Sequence, residues 1–174
     1  MAITKQDFII FSSIDWTIHW QLHHQLATSL VSAGNRVLFV DNTGIRSANI
    51  SDTKRLKERV VNWYKGAHGF SLIDKNLTVY SPLLLPFPYS KLSLFINKII
   101  FNKAISRWRR AAKFNNPIVI SFLPTPLIQN TIKHIMPKLT VYYCANNMAD
   151  SSISASQVSP YENKFFKNVD IVFT

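Results

Sequence analysis

The chain has 174 residues, 47% hydrophobic and 17% charged, which is the balance of one globular domain with its own core. That composition excludes a disordered chain, and Cys144 as the single cysteine excludes a disulfide scaffold. Twenty Lys+Arg against 9 Asp+Glu give a formal net charge of +11, a field that attracts nucleic acid, a lipid headgroup or a phosphorylated substrate.

The first 13 residues, MAITKQDFIIFSS, hold a short apolar run, but Asp7 interrupts it and the basic-then-apolar layout of a signal peptide is missing. Within it FIIFS (8–12) reads as a strand, followed by a helix over 20–33. Gly34 falls where a left-handed C-terminal cap is wanted, just before a second strand, RVLFVD (36–41). A helix over 52–64, with Ser51 and Asp52 at its start, precedes the strand LTVYS (77–81). Three prolines make residues 81–90 (SPLLLPFPYS) a rigid apolar loop, after which Ser90 offers an N-cap for a helix over 91–113. Then come PIVISF (117–122), a helix over 125–136, LTVYYC (139–144), a helix over 159–167 and VDIVFT (169–174).

These apolar runs are continuous rather than alternating, as in strands covered on both faces, and strand alternates with helix almost throughout. The pattern predicts an α/β fold, a doubly wound and mainly parallel sheet in a single domain over residues 1–174. A long uncharged run, 114–132, holds Pro117, Pro124 and Pro126 and does not read as a membrane span. A doubly wound domain seldom stops on an uncovered strand, so the sequence is expected to be cut short.

Ligands of open parallel sheets bind outside the carboxyl ends of the strands. The loop there after the first strand holds Asp15, Trp16, His19, Trp20, Gln21, His23 and His24 within ten positions. Trp16 can stack on a ring, His19 can donate to a phosphate or oxyanion, and Asp15 is a second catalytic candidate. Against this stands the reading that one of His23 and His24 is a structural histidine. His19 and His23 are four apart without the acidic partner of a metal-binding HExxH, so no metal is expected. No glycine precedes Gly34, so the dinucleotide fingerprint is missing and no cofactor is expected. Asp41 and Asn42 are read as shaping the turn before Ile45. Thr125 is either a binding residue or a helix N-cap, and Asn146 and Asn147 are small polar residues suited to sugar hydroxyls.

The helix over 91–113 mixes Leu92, Phe95, Ile99 and Ile100 with Lys98, Lys103, Arg107, Trp108, Arg109 and Arg110. Beside the apolar loop it suits an anionic membrane surface; the alternative is an ordinary crossover helix with solvated charges. Nucleic acid is not expected, because no recognised nucleic-acid-binding motif accompanies the charge.

The run FSSIDWTIHWQLHHQLATSLVSAGNRVLFVDNTGIR, then SPLLLPFPYSKLS, ISFLPTPL and VYYCANN, resembles the N-terminal half of bacterial glycosyltransferases of the family 4 type, with two Rossmann-like halves in the GT-B fold. The resemblance covers nearly the whole chain. It implies an acceptor-binding half whose loop from Trp16 to His24, with Gln21, faces the cleft. The nucleotide-sugar donor would be bound only with a C-terminal half that is absent from this chain, so the fragment alone is expected to be inactive. The whole enzyme would move a sugar to a lipid-linked or polysaccharide acceptor, either in the cytoplasm or peripherally on the inner face of the cytoplasmic membrane. Relatives often carry acidic residues where Asn146 and Asn147 stand, and asparagine is no general base. A non-catalytic binding module or a gene remnant is the alternative, and a nucleic-acid-binding protein is the third reading.

Overall fold

The computed structural model describes residues 3–44, 69–85, 87–144 and 155–174. Within them run β1 (Asp7–Phe11), β2 (Arg36–Val40), β3 (Phe70–Asp74), β4 (Leu77–Tyr80), β5 (Ile118–Ser121), β6 (Leu139–Tyr143) and β7 (Ile171–Phe173). The helices are α1 (Leu22–Ser32), α2 (Lys91–Ala111), α3 (Pro126–Ile135) and α4 (Ser159–Phe166). The helix expected over 52–64, with its basic residues, lies outside the described residues.

The strands form one 7-stranded sheet in the order β3-β4-β2-β1-β5-β6-β7. Every neighbouring pair is parallel except β3 and β4, which form an antiparallel hairpin. The α/β, doubly wound, Rossmann-like architecture expected from the sequence is therefore present. The addition is β3, whose sequence FSLID was not read as a strand. A two-residue turn at Lys75 and Asn76 joins it to LTVY, which is a hairpin spacing.

Successive strand residues point to opposite faces, and both faces are covered. Phe8, Ile10, Val37 and Phe39 pack with Leu26, Ala27, Leu30 and Val31 of α1. On the other face Ile9, Phe11, Leu38, Val40 and Val119 pack with Phe101 and Ile105 of α2, Ile128 and Ile132 of α3, and Phe165 of α4. Each such side chain gains about 1.5–3 kcal/mol on burial, against about 1–2 kcal/mol per residue to fix the backbone. The last four residues of both β1 and β2 are buried, so burial on both faces outweighs the ordering cost there.

Caps and clasps set where the elements stop. Gly34 ends α1 at φ +84°, its N–H donating to Val31 and the Asn35 N–H to Leu30, the paired bonds of a left-handed cap. Ser90 holds the N-cap position of α2, but its side chain makes no capping bond, contrary to expectation. At the amino edge of the sheet Arg36 grips both carboxylate oxygens of Asp7, each at 2.8 Å. The same guanidinium donates to the carbonyls of Ala112 and Lys113 at 2.9 Å and lies 5.0 Å above the Phe114 ring.

One buried side chain fastens Leu85 of the proline-rich loop. Asn97 of α2 accepts the Leu85 N–H at 2.8 Å and donates to the Leu85 carbonyl at 3.0 Å. Asn97→Ala would leave both backbone groups without that partner, at an expected loss of about 1–3 kcal/mol. Urea unfolding with an unchanged slope is the measurement, and a midpoint equal to that of the parent would show that the loop is held elsewhere.

Candidate functional site

β1 has β2 on one side and β5 on the other, and the helices following β1 and β5 pack on opposite faces of the sheet. The chain thus diverges at the carboxyl ends of β1 and β5, the position at which open α/β sheets form a ligand crevice. The loop from Ser12 to Gln21 forms one wall, and residues 122–125 after β5 form the other.

The first wall is braced from within. The Ser12 hydroxyl accepts the Ile14 N–H at 3.1 Å, and Asp41, just past β2, accepts the Trp16 N–H at 2.7 Å. Ser81, just past β4, donates its hydroxyl to the other oxygen of Asp41. The expected turn-shaping role of Asp41 is therefore too local, because it joins segments that follow three strands. Asn42 does shape its own turn, its Oδ1 accepting the Gly44 N–H at 2.8 Å.

His24 completes the brace. Its Nδ1 accepts the Gln21 N–H at 3.1 Å, the service a glutamate gives at the third position of a helix. Its Nε2 faces the Trp16 carbonyl at 3.1 Å. A backbone N–H can only donate and a carbonyl only accept, so the proton sits on Nε2. With 0% exposure and both nitrogens engaged, His24 frames the loop instead of lining the crevice as expected. Trp16 is likewise turned inward, its indole 4.9 Å from both Phe39 and His24.

The ring that faces out is Trp20. It is 59% exposed and stacks on His24 at 5.2 Å and 21°, with Trp16 edge-on at 6.1 Å. Its underside is fixed while its outer face is bare. Gln21 and His19 stand exposed beside it, and Asp15 is half-buried. Nothing in the residue types distinguishes the two tryptophans, because their burial follows from the long-range bond to Asp41.

His23 sits between the two walls, its ring 3.9 Å from that of Phe122 and its Nε2 3.0 Å from the Ser13 hydroxyl. Its Nδ1 is buried without a hydrogen-bond partner. Ser13 was not among the expected contacts, His23 was weighed only as a loop or structural histidine, and nine intervening residues hid the pair. On the opposite wall Thr125 is 1% exposed and caps α3, accepting the Ile128 N–H at 3.4 Å. Its hydroxyl serves the helix, which is the capping alternative. Asn146 and Asn147 lie outside the described residues.

At the end of β6 the Tyr142 hydroxyl donates to Glu162 at the start of α4, and the Cys144 thiol lies 3.9 Å from the same oxygen. Burial, helped by Glu162, raises the Tyr142 phenol well above its ordinary range. Among the described residues no three His, Cys, Asp or Glu side chains converge as metal ligands would.

The basic face of α2 is only partly as expected. Lys98, Lys103, Arg107 and Arg110 are exposed. Trp108 and Arg109 turn inward and leave the set of surface candidates. Trp108 stacks on Phe70 at 5.8 Å, and Arg109 donates to the carbonyls of Phe114 and Ile135. Desolvation also lowers the basicity of Arg109. Beside the lysines Leu92, Phe95 and Ile99 are 69%, 63% and 51% exposed along one side of the helix. No described helix is long and apolar enough to cross a membrane.

Compared with protein-family models and with curated proteins, the chain matches none of either. The resemblance of its loop and strand motifs stands on those residues alone.

The buried His23 makes the stability depend on pH. Burial, and secondarily the proximity of His24, lowers His23 from 6.5 to about 4. On acidification the unfolded chain takes up this proton first, so stability is whole above pH 6.5 and falls as the pH drops towards 4. The urea midpoint should decrease across that window, and His23→Gln should flatten the decrease. Equal slopes in both proteins would assign the pH dependence to other groups.

Proposed function

We propose that this chain is the acceptor-binding half of a glycosyltransferase, moving a sugar from a nucleotide-sugar to a lipid-linked or polysaccharide acceptor. The observation that carries the reading is the platform of Trp20 on His24 at the carboxyl edge of the sheet. A flat ring with one face bare suits the apolar face of a sugar, and a ring fixed from beneath loses little entropy on binding. Exposed His19 and Gln21 supply hydrogen bonds beside it. Under this reading Asp15 and His19 are the titratable groups nearest the acceptor, with catalysis requiring a donor-binding half.

The same reading gives α2 a role. Leu92, Phe95 and Ile99 form an apolar strip rimmed by Lys91, Lys98 and Lys103, the composition of a helix that lies on an anionic bilayer. A lipid-linked acceptor would then reach the crevice from the membrane surface.

Trp20→Ala should weaken binding of a prenyl-phosphate-linked oligosaccharide at least about tenfold, or about 1.4 kcal/mol, with Tm unchanged. Undiminished affinity in that variant would remove the platform from the acceptor site. Sedimentation with vesicles tests the second part. The chain should pellet with anionic but not neutral vesicles, less so in high salt, each lysine near the surface giving about 1 kcal/mol. Phe95→Ser with Ile99→Ser should release it, and equal recovery with both vesicle types would end the membrane reading.

A further inference from the structure

The opposite edge of the sheet, remote from the crevice, carries a concavity of about 610 Å³. Lys5, Arg36, Gly34, Lys113, Asn115 and Lys138 are among its lining residues, with Asp7 as its acidic side chain. Arg36 and Asp7 neutralise one another through their two-point ion pair, and the remaining donors of Arg36 are spent on backbone carbonyls. Three ammonium groups remain. Among the described residues none of Lys5, Lys113 and Lys138 has a carboxylate partner, and the Lys138 amine is only 3.4 Å from the neutral Gln6 side chain. Among the described residues no counter-ion offsets their mutual repulsion, so an anion entering the concavity gains from all three.

The backbone at this rim adds a separate observation. Lys5, Lys113 and Asn116 hold φ of 56°, 51° and 42°, the left-handed region that glycine enters without steric cost. Gly34, on the same rim, holds φ +84°. Two of the three lysines thus stand where the backbone alone favours glycine, at positions that line the concavity. Its volume lies within the roughly 300–1,000 Å³ of small-ligand sites.

We infer that the concavity bounded by Lys5, Lys113 and Lys138 at the amino edge of the sheet binds a phosphate-bearing anion. Compact ammonium groups on flexible stems suit the spread charge of a phosphate or diphosphate. The Asn115 and Asn116 side chains supply neutral donors, and the area is too polar for an apolar ligand. The inference is independent of the glycosyl-transfer reading, because no residue of the Trp20 platform takes part.

Calorimetric titration of the full chain with pyrophosphate at low ionic strength is the test. Saturable binding at one site per chain is expected. Lys5→Gln, Lys113→Gln and Lys138→Gln together should weaken it at least about tenfold. Lys75→Gln, Lys133→Gln and Lys164→Gln, exposed residues that do not line the concavity, remove the same charge elsewhere and should change it less than about twofold. Equal weakening by the two triple variants would overturn the inference, as would no saturation with pyrophosphate or phosphorylated vesicles. Lys138→Gln alone, with Tm unchanged, gives the same reading should the first triple variant not fold. Phosphatidylcholine vesicles carrying a phosphorylated inositol lipid, against phosphatidylserine vesicles of equal surface charge, separate the sources. Preference for the former that disappears in Lys138→Gln, without pyrophosphate binding, supports the site with a lipid headgroup as its ligand. Tighter binding of a single-stranded oligonucleotide than of pyrophosphate, unaffected by Lys138→Gln, would overturn it in favour of diffuse charge.

Discussion

One buried carboxylate organises the carboxyl edge of this sheet. Asp41 is 4% exposed and receives the Trp16 N–H on one oxygen and the Ser81 hydroxyl on the other. A carboxylate taken out of water is tolerated only where hydrogen bonds replace its hydration, so the donors must come to it. The loop after β1 is therefore pulled across the end of β2. That pull turns Trp16 onto Phe39, brings the Trp16 carbonyl to His24, and leaves Trp20 facing outwards. Geometry that looks like a property of one aromatic-rich loop is set by an aspartate 25 residues away.

The amino edge is organised by the same means with the opposite outcome. Arg36 and Asp7 close on each other across β1 and β2, while Arg36 also fastens the turn after α2 through two carbonyls. Planar guanidinium geometry allows four bonds at once, which an ammonium group in its place would not match. Because that pair satisfies itself, the neighbouring lysines have no carboxylate partner among the described residues. One edge thus presents a framed aromatic surface, and the other presents cations.

The architecture is legible in the sequence because β1, β2, β5 and β6 are buried on both faces, and burial writes continuous apolar runs. β3 escapes this rule. Its residues after Phe70 are all exposed, so FSLID carries no core signature and only the two-residue turn betrays it. Side-chain partners were legible only where they were local. Gly34 as a cap and Thr125 as a cap are decided within a few positions. Asp41 with Ser81, Asn97 with Leu85 and Ser13 with His23 pair residues whose meeting depends on the fold already being formed. The Arg109 and Trp108 side chains were misassigned for the same reason, since a helical position alone does not say which neighbour covers it.

The two edges of the sheet differ in a way that gives it a direction. β3 pairs with β4 through a register irregularity between Leu72 and Asp74, and Asp74 adds a charge there. Bulges and charges on an outer strand discourage the docking of further strands. β7 has neither device: Ile171, Val172 and Phe173 are uncharged, 39%, 36% and 53% exposed, and in regular parallel register with β6. Among the described residues, one margin of the sheet thus carries devices that discourage further strand pairing and the other margin lacks them.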